Sequence, residues 1–553
     1  MPMSDLPARN GGQVLVEALL RHAVDTVYCI PGESYLPVLD ALHDASGIQT
    51  IVTRHEGAAS NMADAYGKLT GRPGICFVTR GPGATHAANG VHTAMQDSTP
   101  MILFIGQVES AFKGREAFQE VDYRQMFGGL AKWATEVDDI RRIPEIVARA
   151  FRVAQSGRPG PVVIGLPEEV LFGSAQVADV ATSPITRAAP TSSALAELHE
   201  RLSQARRPLL IVGGTGWTSE ACEQVRAFAR ANRLPLVASF RRQDLIDNRD
   251  EQYAGQLGFG ASPKLTARVQ EADLLLVLGS RLSETPSAGY TLIRSPRPLQ
   301  SMIHVYADAS ELGRVYQADQ MIEAGMPEIA TALAGLAPLR ETPWAEWTAA
   351  ARADYLSYVT PPKQAEPPQG VDLTQVVQHL NETLPDNAVI SNGAGNYAVW
   401  VHRFYRYRTP RSQLAPTNGA MGYGFPAAIA AKLRDPQRSV VCFAGDGCFM
   451  MYPQELATAV QYGAALTVIV VNNGMLGTIR MHQEREYPGR ISATQLRNPD
   501  FVALARAFGA HGELVERTED FAAAFERAQA SGKPALIELR TDPQQITPVS
   551  RLP

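Results

Sequence analysis

Three times along its 553 residues the chain alternates short apolar runs with segments of helix length. Joining parallel strands takes a crossover of a dozen or more residues, so this alternation marks β-α-β units and sheets covered by helices on both faces. The first third holds TVYCI (26–30), QTIVT (49–53), GICFVT (74–79), PMILFIG (100–106) and PVVIGLP (161–167). The middle third holds PLLIVGG (208–214), LPLVASF (234–240), DLLLVLGS (273–280) and MIHVYAD (302–308). NAVISN (387–392), SVVCFAGDG (439–447), LTVIVVNN (466–473) and PALIELR (534–540) complete the series. The expected fold is α/β, with three doubly wound parallel-sheet domains. A first boundary falls in the aperiodic stretch 176–193, and a second in 340–370, where TPPKQAEPPQG has four prolines in eleven residues and reads as an extended connector. The domains are therefore placed at 1–180, 190–340 and 368–553. No repeat of 20 to 50 residues points to a solenoid or propeller, although the first and last thirds are alike in layout.

Charge and cysteine content narrow the function classes. Lys plus Arg is 51 against 56 Asp plus Glu, a formal charge of −5, which offers no excess of cations for nucleic-acid phosphates. Cys29, Cys76, Cys222, Cys442 and Cys448 are scattered, without a C-x-x-C pair for zinc or a disulfide framework. The N-terminal stretch has no apolar core of a signal peptide, and no run approaches the roughly 18 to 20 apolar residues that span a bilayer. The expectation is a cytoplasmic protein with reduced thiols that engages neither membrane nor nucleic acid.

The segment 439–473 reads as strand, helix, strand, with the helix expected over 448–463. In one such crossover the two strands can be neighbours, which brings Asp446 and Asn473 together at adjacent strand ends. A carboxylate and an amide oxygen are hard ligands suited to Mg²⁺ or Ca²⁺ when a phosphate completes the shell. Gly445 and Gly447 let the backbone approach that phosphate, and a helix N-terminus beside them offers free N–H groups. Gly-Asp-Gly or Asn-Asn-Gly alone is an ordinary turn; together, 27 residues apart around an intact crossover, they form a constellation. A second acid, Glu56, stands where a strand meets a helix in QTIVTRHEGAASNMADAYGKLTGRPG. Locally it reads as the third residue of a capping box with Thr53 as N-cap.

HEGAA after a strand, GRPGICFVTRGPGATH, DSTPMILFIGQV, EAFQE, NGAMGYGFPAAIAA and the GDG-to-NN unit occur in order over essentially the whole chain. In that combination the chain resembles the acetolactate synthase group of thiamine diphosphate (ThDP) enzymes. The resemblance implies pyrimidine-binding, central and diphosphate-binding domains. It makes Glu56 the acid that activates the aminopyrimidine, and gives Mg²⁺ to Asp446, Asn473 and the Met475 carbonyl. Asn396, Tyr397, Gly445, Gly447 and Cys448 would meet the diphosphate, Gly419 the 4′-amino group, and Met421 would be the apolar wedge that bends the cofactor. Because the Glu of one chain serves the cofactor of another in this group, a homodimer or homotetramer with active sites at subunit interfaces is implied. A regulatory small subunit is left open.

Substrate residues depart from the group. Glu33 replaces the second Gly of a Pro-Gly-Gly loop, Glu168 stands where a Lys follows Leu-Pro, and His482 where a Trp is usual; Phe118 and Gln119 are retained. Glu33, Gln119 and His482 join Glu56 as candidate catalytic residues. Glu33 has a plainer reading as a loop residue before a Ser34 N-cap. The other histidines noted, His55, His86, His92 and His402, suit proton transfer near neutrality but are as readily structural. The glycines of 211–220 and Arg281 fit a central domain holding FAD, ADP or no nucleotide; Tyr306 stands where an acid is frequent. The expected reaction is ThDP- and Mg²⁺-dependent decarboxylation of a 2-oxo acid, pyruvate favoured, with carboligation to a second carbonyl compound. Its competitors are a decarboxylase or aldehyde ligase of the same family, and a non-catalytic nucleotide-binding relative, which would have lost Glu56, Asp446 or Asn473.

Overall fold

A computed structural model describes residues 6–361 and 369–552, so most of the expected Pro-rich connector lies outside the described residues. Three six-stranded parallel sheets are present. With their strands numbered in chain order, the first comprises β1 (Thr26–Cys29), β2 (Gln49–Val52), β3 (Gly74–Val78), β4 (Met101–Gln107), β5 (Trp133–Glu136) and β6 (Pro161–Pro167), in the order 2-1-3-4-6-5. The central sheet comprises β7 (Pro208–Val212), β8 (Leu236–Ala238), β9 (Tyr253–Gln256), β10 (Leu274–Leu278), β11 (Ser301–Tyr306) and β12 (Gln320–Glu323), ordered 9-8-7-10-11-12. The last comprises β13 (Val389–Asn392), β14 (Gln413–Leu414), β15 (Val440–Gly445), β16 (Thr467–Asn472), β17 (His511–Val515) and β18 (Ala535–Arg540), ordered 14-13-15-16-18-17. The first and last sheets therefore share one topology. In each, the chain winds outward from the first strand, then returns past it, and the connections diverge between the first and third strands, at β1/β3 and β13/β15. Crevices of this kind are where open α/β sheets receive ligands.

Every strand read from the sequence is present, and within the three large sheets the five that were not read, β5, β9, β12, β14 and β17, are all edge strands. Inner strands such as β4 and β6 are buried at every residue and read as continuous apolar runs, whereas β5 is half-buried throughout and β12 alternates buried with exposed positions. Large apolar clusters cover the sheets, centred on residues such as Phe104 and Ile164 in the first, Leu276 in the central and Ile469 in the last. Among the described residues no helix is long and apolar enough to cross a membrane, and all five cysteines are buried free thiols.

The chain forms two compact units. One comprises Met1–Thr186, Phe425–Pro436 and Tyr452–Ala464; the other comprises Arg187–Gly424, Gln437–Met451 and Ala465–Pro553. Five helices carry the chemistry below: α1 (Glu56–Thr70), α2 (Gly81–Asp97), α3 (Asp446–Phe449), α4 (Glu455–Gln461) and α5 (Gly477–Glu486). The single helix expected over 448–463 is in fact two, since α3 ends after one turn and Pro453, which has no N–H to donate, precedes α4.

Within the first unit, α4 is tied to the residues before α1. The fully buried Glu455 accepts from the Arg54 N–H at 3.0 Å and from Thr458 Oγ1 at 2.6 Å. Burial pushes its carboxyl up from 4.5 to about 7, with the hydrogen bonds from Thr458 and Arg54 opposing. Folding thus favours the protonated acid: the contribution is complete below the unfolded value and is lost as pH rises through about 7. Glu455→Gln, which cannot ionise, is expected to flatten this part of the profile, so the fall in melting temperature between about pH 5 and about pH 8.5 should shrink by a few degrees relative to the parent. Equal falls in the two proteins, measured calorimetrically, would contradict it.

Candidate active site

In the last sheet the loops leaving β13 and β15 flank a cavity of ≈ 310 Å³. Asn396, Tyr397, Gly419, Met421, Gly445, Asp446, Gly447, Cys448, Asn473 and Met475 all line it. Every residue that the sequence assigned to cofactor or metal binding is thus brought to one place, from four separated stretches of chain. Two glycines set its floor. A Cβ on Gly395 or Gly445 would approach the Tyr397 ring to 2.7 or 3.1 Å, so only glycine lets the backbone lie on that ring. Below it, the Gly393 N–H donates to the Tyr397 hydroxyl at 3.1 Å, and the hydroxyl donates to Cys448 Sγ at 3.4 Å. Cys448 Sγ also accepts from the Gly422 N–H at 3.1 Å, which anchors the loop carrying Met421. Gly419 has φ +71° and is exposed on the cavity wall.

Asp446 is 2% exposed, and among the described residues it has no Lys, Arg or His partner. Its Oδ1 accepts from the Gly447 N–H at 2.8 Å, and its Oδ2 from the Gly474 N–H at 2.9 Å and Asn498 Nδ2 at 2.7 Å. Burial pushes its carboxyl up, and these donors work against that shift. A buried carboxylate fixed in orientation by three N–H groups but lacking a counter-charge suits a bound cation, and two further oxygens, from the Asn473 amide and the Met475 carbonyl, belong to the same wall. The residues present therefore fit a divalent ion held together with a phosphate group. Asp446 meets the Gly474 backbone rather than the Asn473 side chain, whose Oδ1 accepts from the Met475 N–H at 3.2 Å.

Three partners escaped the sequence. Asn498 bridges Asp446 and Asn472 Oδ1; the Thr478 hydroxyl donates to Asn396 Oδ1 at 3.0 Å; the buried Glu538 holds Asn472 Nδ2 at 2.7 Å. Asn498 and Glu538 come from segments without any motif, and only the position of Thr478 just after the Asn-Asn-Gly turn hinted at its place. His482 lies exposed on α5 and is not part of the cavity lining.

The other candidates lie in the first unit, at the carboxyl ends of the first sheet. Glu56 is the first residue of α1, and the N-cap is His55, whose Nδ1 accepts from the Gly57 N–H at 2.9 Å. The capping box is thus absent, because the Thr53 hydroxyl donates instead to the His55 carbonyl at 3.1 Å, which frees the Glu56 carboxyl from local duty. Glu56 Oε2 is 2.8 Å from His86 Nδ1 on α2, and the His86 ring stacks on His55 with centroids 4.6 Å apart. His55, Glu56 and His86 each place a ligand atom within 4.8 Å of the others, but the stacked rings, 27° from parallel, have in-plane lone pairs that do not converge on an ion. Ser34 is no N-cap either: a short 3₁₀ turn starts at Glu33, and Ser34 Oγ pairs with Thr79 Oγ1 at 3.0 Å. Glu33 is paired with Arg80, and Gln119, at φ +65°, gives its carbonyl to the Gly81 N–H at 2.9 Å.

Comparison with known proteins settles the family. The thiamine pyrophosphate enzyme domains match in order: the N-terminal TPP binding domain at residues 9–126, the central domain at 195–333 and the C-terminal TPP binding domain at 393–539. The chain belongs to the thiamine pyrophosphate enzymes. It is 31% identical to the acetolactate synthase isozyme 2 large subunit of Escherichia coli over 96% of each chain. It is 34% identical to the acetolactate synthase large subunit of Parasynechococcus marenigrum, over 96% of this chain and 87% of the relative. With that of Lactococcus lactis it shares 32%, over 90% and 87%. This thiamine pyrophosphate enzyme has ThDP as its cofactor, and its reaction is ThDP-dependent decarboxylation with carboligation. Replacement of this buried carboxylate, Asp446→Ala, is expected to weaken ThDP binding at about 1 mM Mg²⁺ by roughly 100-fold or more. Calorimetric titration checks this, and unchanged affinity would place the metal elsewhere.

Proposed function

We propose that this enzyme takes pyruvate as donor, with Asp446, Asn473 and the Met475 carbonyl holding Mg²⁺ and with the cavity above Tyr397 holding the ThDP diphosphate. The single observation that carries the reading is the convergence of ten motif residues on one cavity around an unpaired buried carboxylate. When bound, ThDP supplies the electron sink that lets CO₂ depart, and the protein supplies binding, orientation and proton transfer. Glycines 445 and 447 admit a phosphate to the backbone, and Met421 presents an apolar wall to the heterocycle. Glu56 serves as the proton-sharing acid toward the pyrimidine: His86 takes its Oε2 and leaves Oε1 for the ligand.

The reading includes a homodimer or homotetramer in which Glu56 of one subunit serves the cofactor of another, as the resemblance to the acetolactate synthase group implies. We place the domains at 1–180, 190–340 and 368–553, and Gln119 at the substrate. The central crevice between β7 and β10, flanked by Gly213 and Arg281, is the place for FAD. Gly214 is required there by its φ of +68° and by its approach to the Gly279 carbonyl, both demands of the fold, so flavin absorbance of the purified protein, rather than the glycines, decides occupancy.

Incubation with ThDP, Mg²⁺ and a panel of 2-oxo acids, with products identified by mass spectrometry, tests the reaction; absence of CO₂ release from every acid would overturn it. Glu56→Gln should bind ThDP but lose turnover and C2 proton exchange by about 100-fold or more. Mixed and reassembled with Asp446→Ala, it should recover about one quarter of parental activity, since half the dimers are hybrids and each has one intact pair of contributions. A mixture as inactive as its components would show that both residues serve one subunit's own site.

A further inference from the structure

Glu33, Arg80, Phe118 and Glu168 come from four separate loops, yet one guanidinium joins them. Arg80 Nη2 donates to Glu33 Oε1 at 3.3 Å and to Glu168 Oε1, and Nη1 donates to the Phe118 carbonyl at 3.3 Å. The loops leave β1, β3, β4 and β6, four contiguous strands of the first sheet, at their carboxyl ends. Glu33 and Arg80 flank the β1/β3 crevice, the topological counterpart of the β13/β15 crevice in the last sheet. Arg80 is 9% exposed and its Nε–H has no partner, while the Glu33 side chain is 69% exposed on the rim and Phe118 is 72% exposed beside it. The Ser34–Thr79 hydrogen bond fixes the two loops against each other.

A free arginine at a strand end would present a fork for a substrate carboxylate. Arg80 is already committed to two protein carboxylates and a carbonyl; of its five N–H groups two are left, the Nε–H buried without a partner, so no fork remains for a substrate carboxylate. The three charged groups sum to one net negative charge. Neighbouring charges do not reverse it: Lys113 is paired with Glu136, and Glu169 and Glu120 are held by the N–H groups of Ser110 and Gly114. We propose that the Glu33–Arg80–Glu168 cluster selects the second substrate, favouring an uncharged aldehyde over an anionic 2-oxo acid. The inference rests on the functional reading above and specifies its acceptor. In the step implied, the C1–C2 bond of the 2-oxo acid breaks and CO₂ leaves. A bond forms from C2 to the aldehyde carbon, a solvent proton ends on the new hydroxyl, and the product is a 2-hydroxy ketone. The rim opposes the donor's carboxylate as well, but that group is discharged as CO₂, whereas an acceptor's carboxylate would persist beside Glu33 and Glu168 into the product.

The test offers the holoenzyme pyruvate and propanal at equal concentrations, so that the mixed product differs in mass from anything made from two pyruvates. The parent should form the 2-hydroxy ketone over acetolactate by about tenfold or more, and Glu33→Gln and Glu168→Gln, which keep shape and remove charge, should each shift the ratio toward acetolactate by at least about threefold, less so at high salt. Acetolactate as main product of the parent, or an unmoved ratio in both variants even if melting temperature changes, would overturn the proposal. Failure to release CO₂ from any 2-oxo acid would instead overturn the functional reading beneath it.

Discussion

A buried carboxylate without a counter-charge is costly, and the last sheet is organised to keep one. Asp446 sits where β13 and β15 part company, held by N–H donors from Gly447, Gly474 and Asn498. Those donors favour the ionised form without neutralising it, so the remaining demand is for a cation, and the surrounding glycines leave room for the phosphate that comes with it. Its location follows from strand order. Only where connections diverge does a parallel sheet leave its carboxyl ends uncovered, and both the first and last sheets place their charged residues at that gap: Glu33 with Arg80 in one, Asp446 in the other.

Much of this was legible in sequence because burial imposes a pattern. Inner strands covered on both faces must be apolar throughout, so β4, β6 and β16 announce themselves. An edge strand has one neighbour, and β5, with WATE, or β17, with HGELV, has the polarity of a loop. The same asymmetry holds at the site. Asp446, Asn473, Gly419 and Met421 belong to local motifs whose backbone requirements are visible in a few letters. Asn498 and Glu538 act through tertiary contacts made after folding, and nothing in their neighbours marks them.

Local chemistry also misled. Thr53 and Glu56 have the spacing of a capping box, and Ser34 the position of a cap, yet neither makes that bond. His55 supplies the helix cap through its ring, and Ser34 turns to Thr79. Both departures have one effect: side chains that could have served the backbone are withdrawn from it, which leaves Glu56 and Glu33 with carboxyl groups directed to other side chains and to solvent. A carboxylate spared from capping is available for chemistry. The long Gly-Asp-Gly helix failed for a different reason, since Pro453 separates α3 from α4 and assigns them to different compact units.

The edge of the first sheet raises a matter of timing. β2 is an outermost strand, and the Tyr462 hydroxyl accepts from its Val52 N–H at 2.8 Å while Glu455 takes the Arg54 N–H just beyond it; the partners are separated by 410 and 401 residues. An unguarded strand edge is a template for pairing with other chains. During synthesis at about 5–20 residues per second, the segment that guards this one emerges on the order of half a minute or more after the strand itself. Over that interval the nascent first sheet presents an open edge, and the protein's yield in the cell becomes a race between completing the chain and meeting a neighbour.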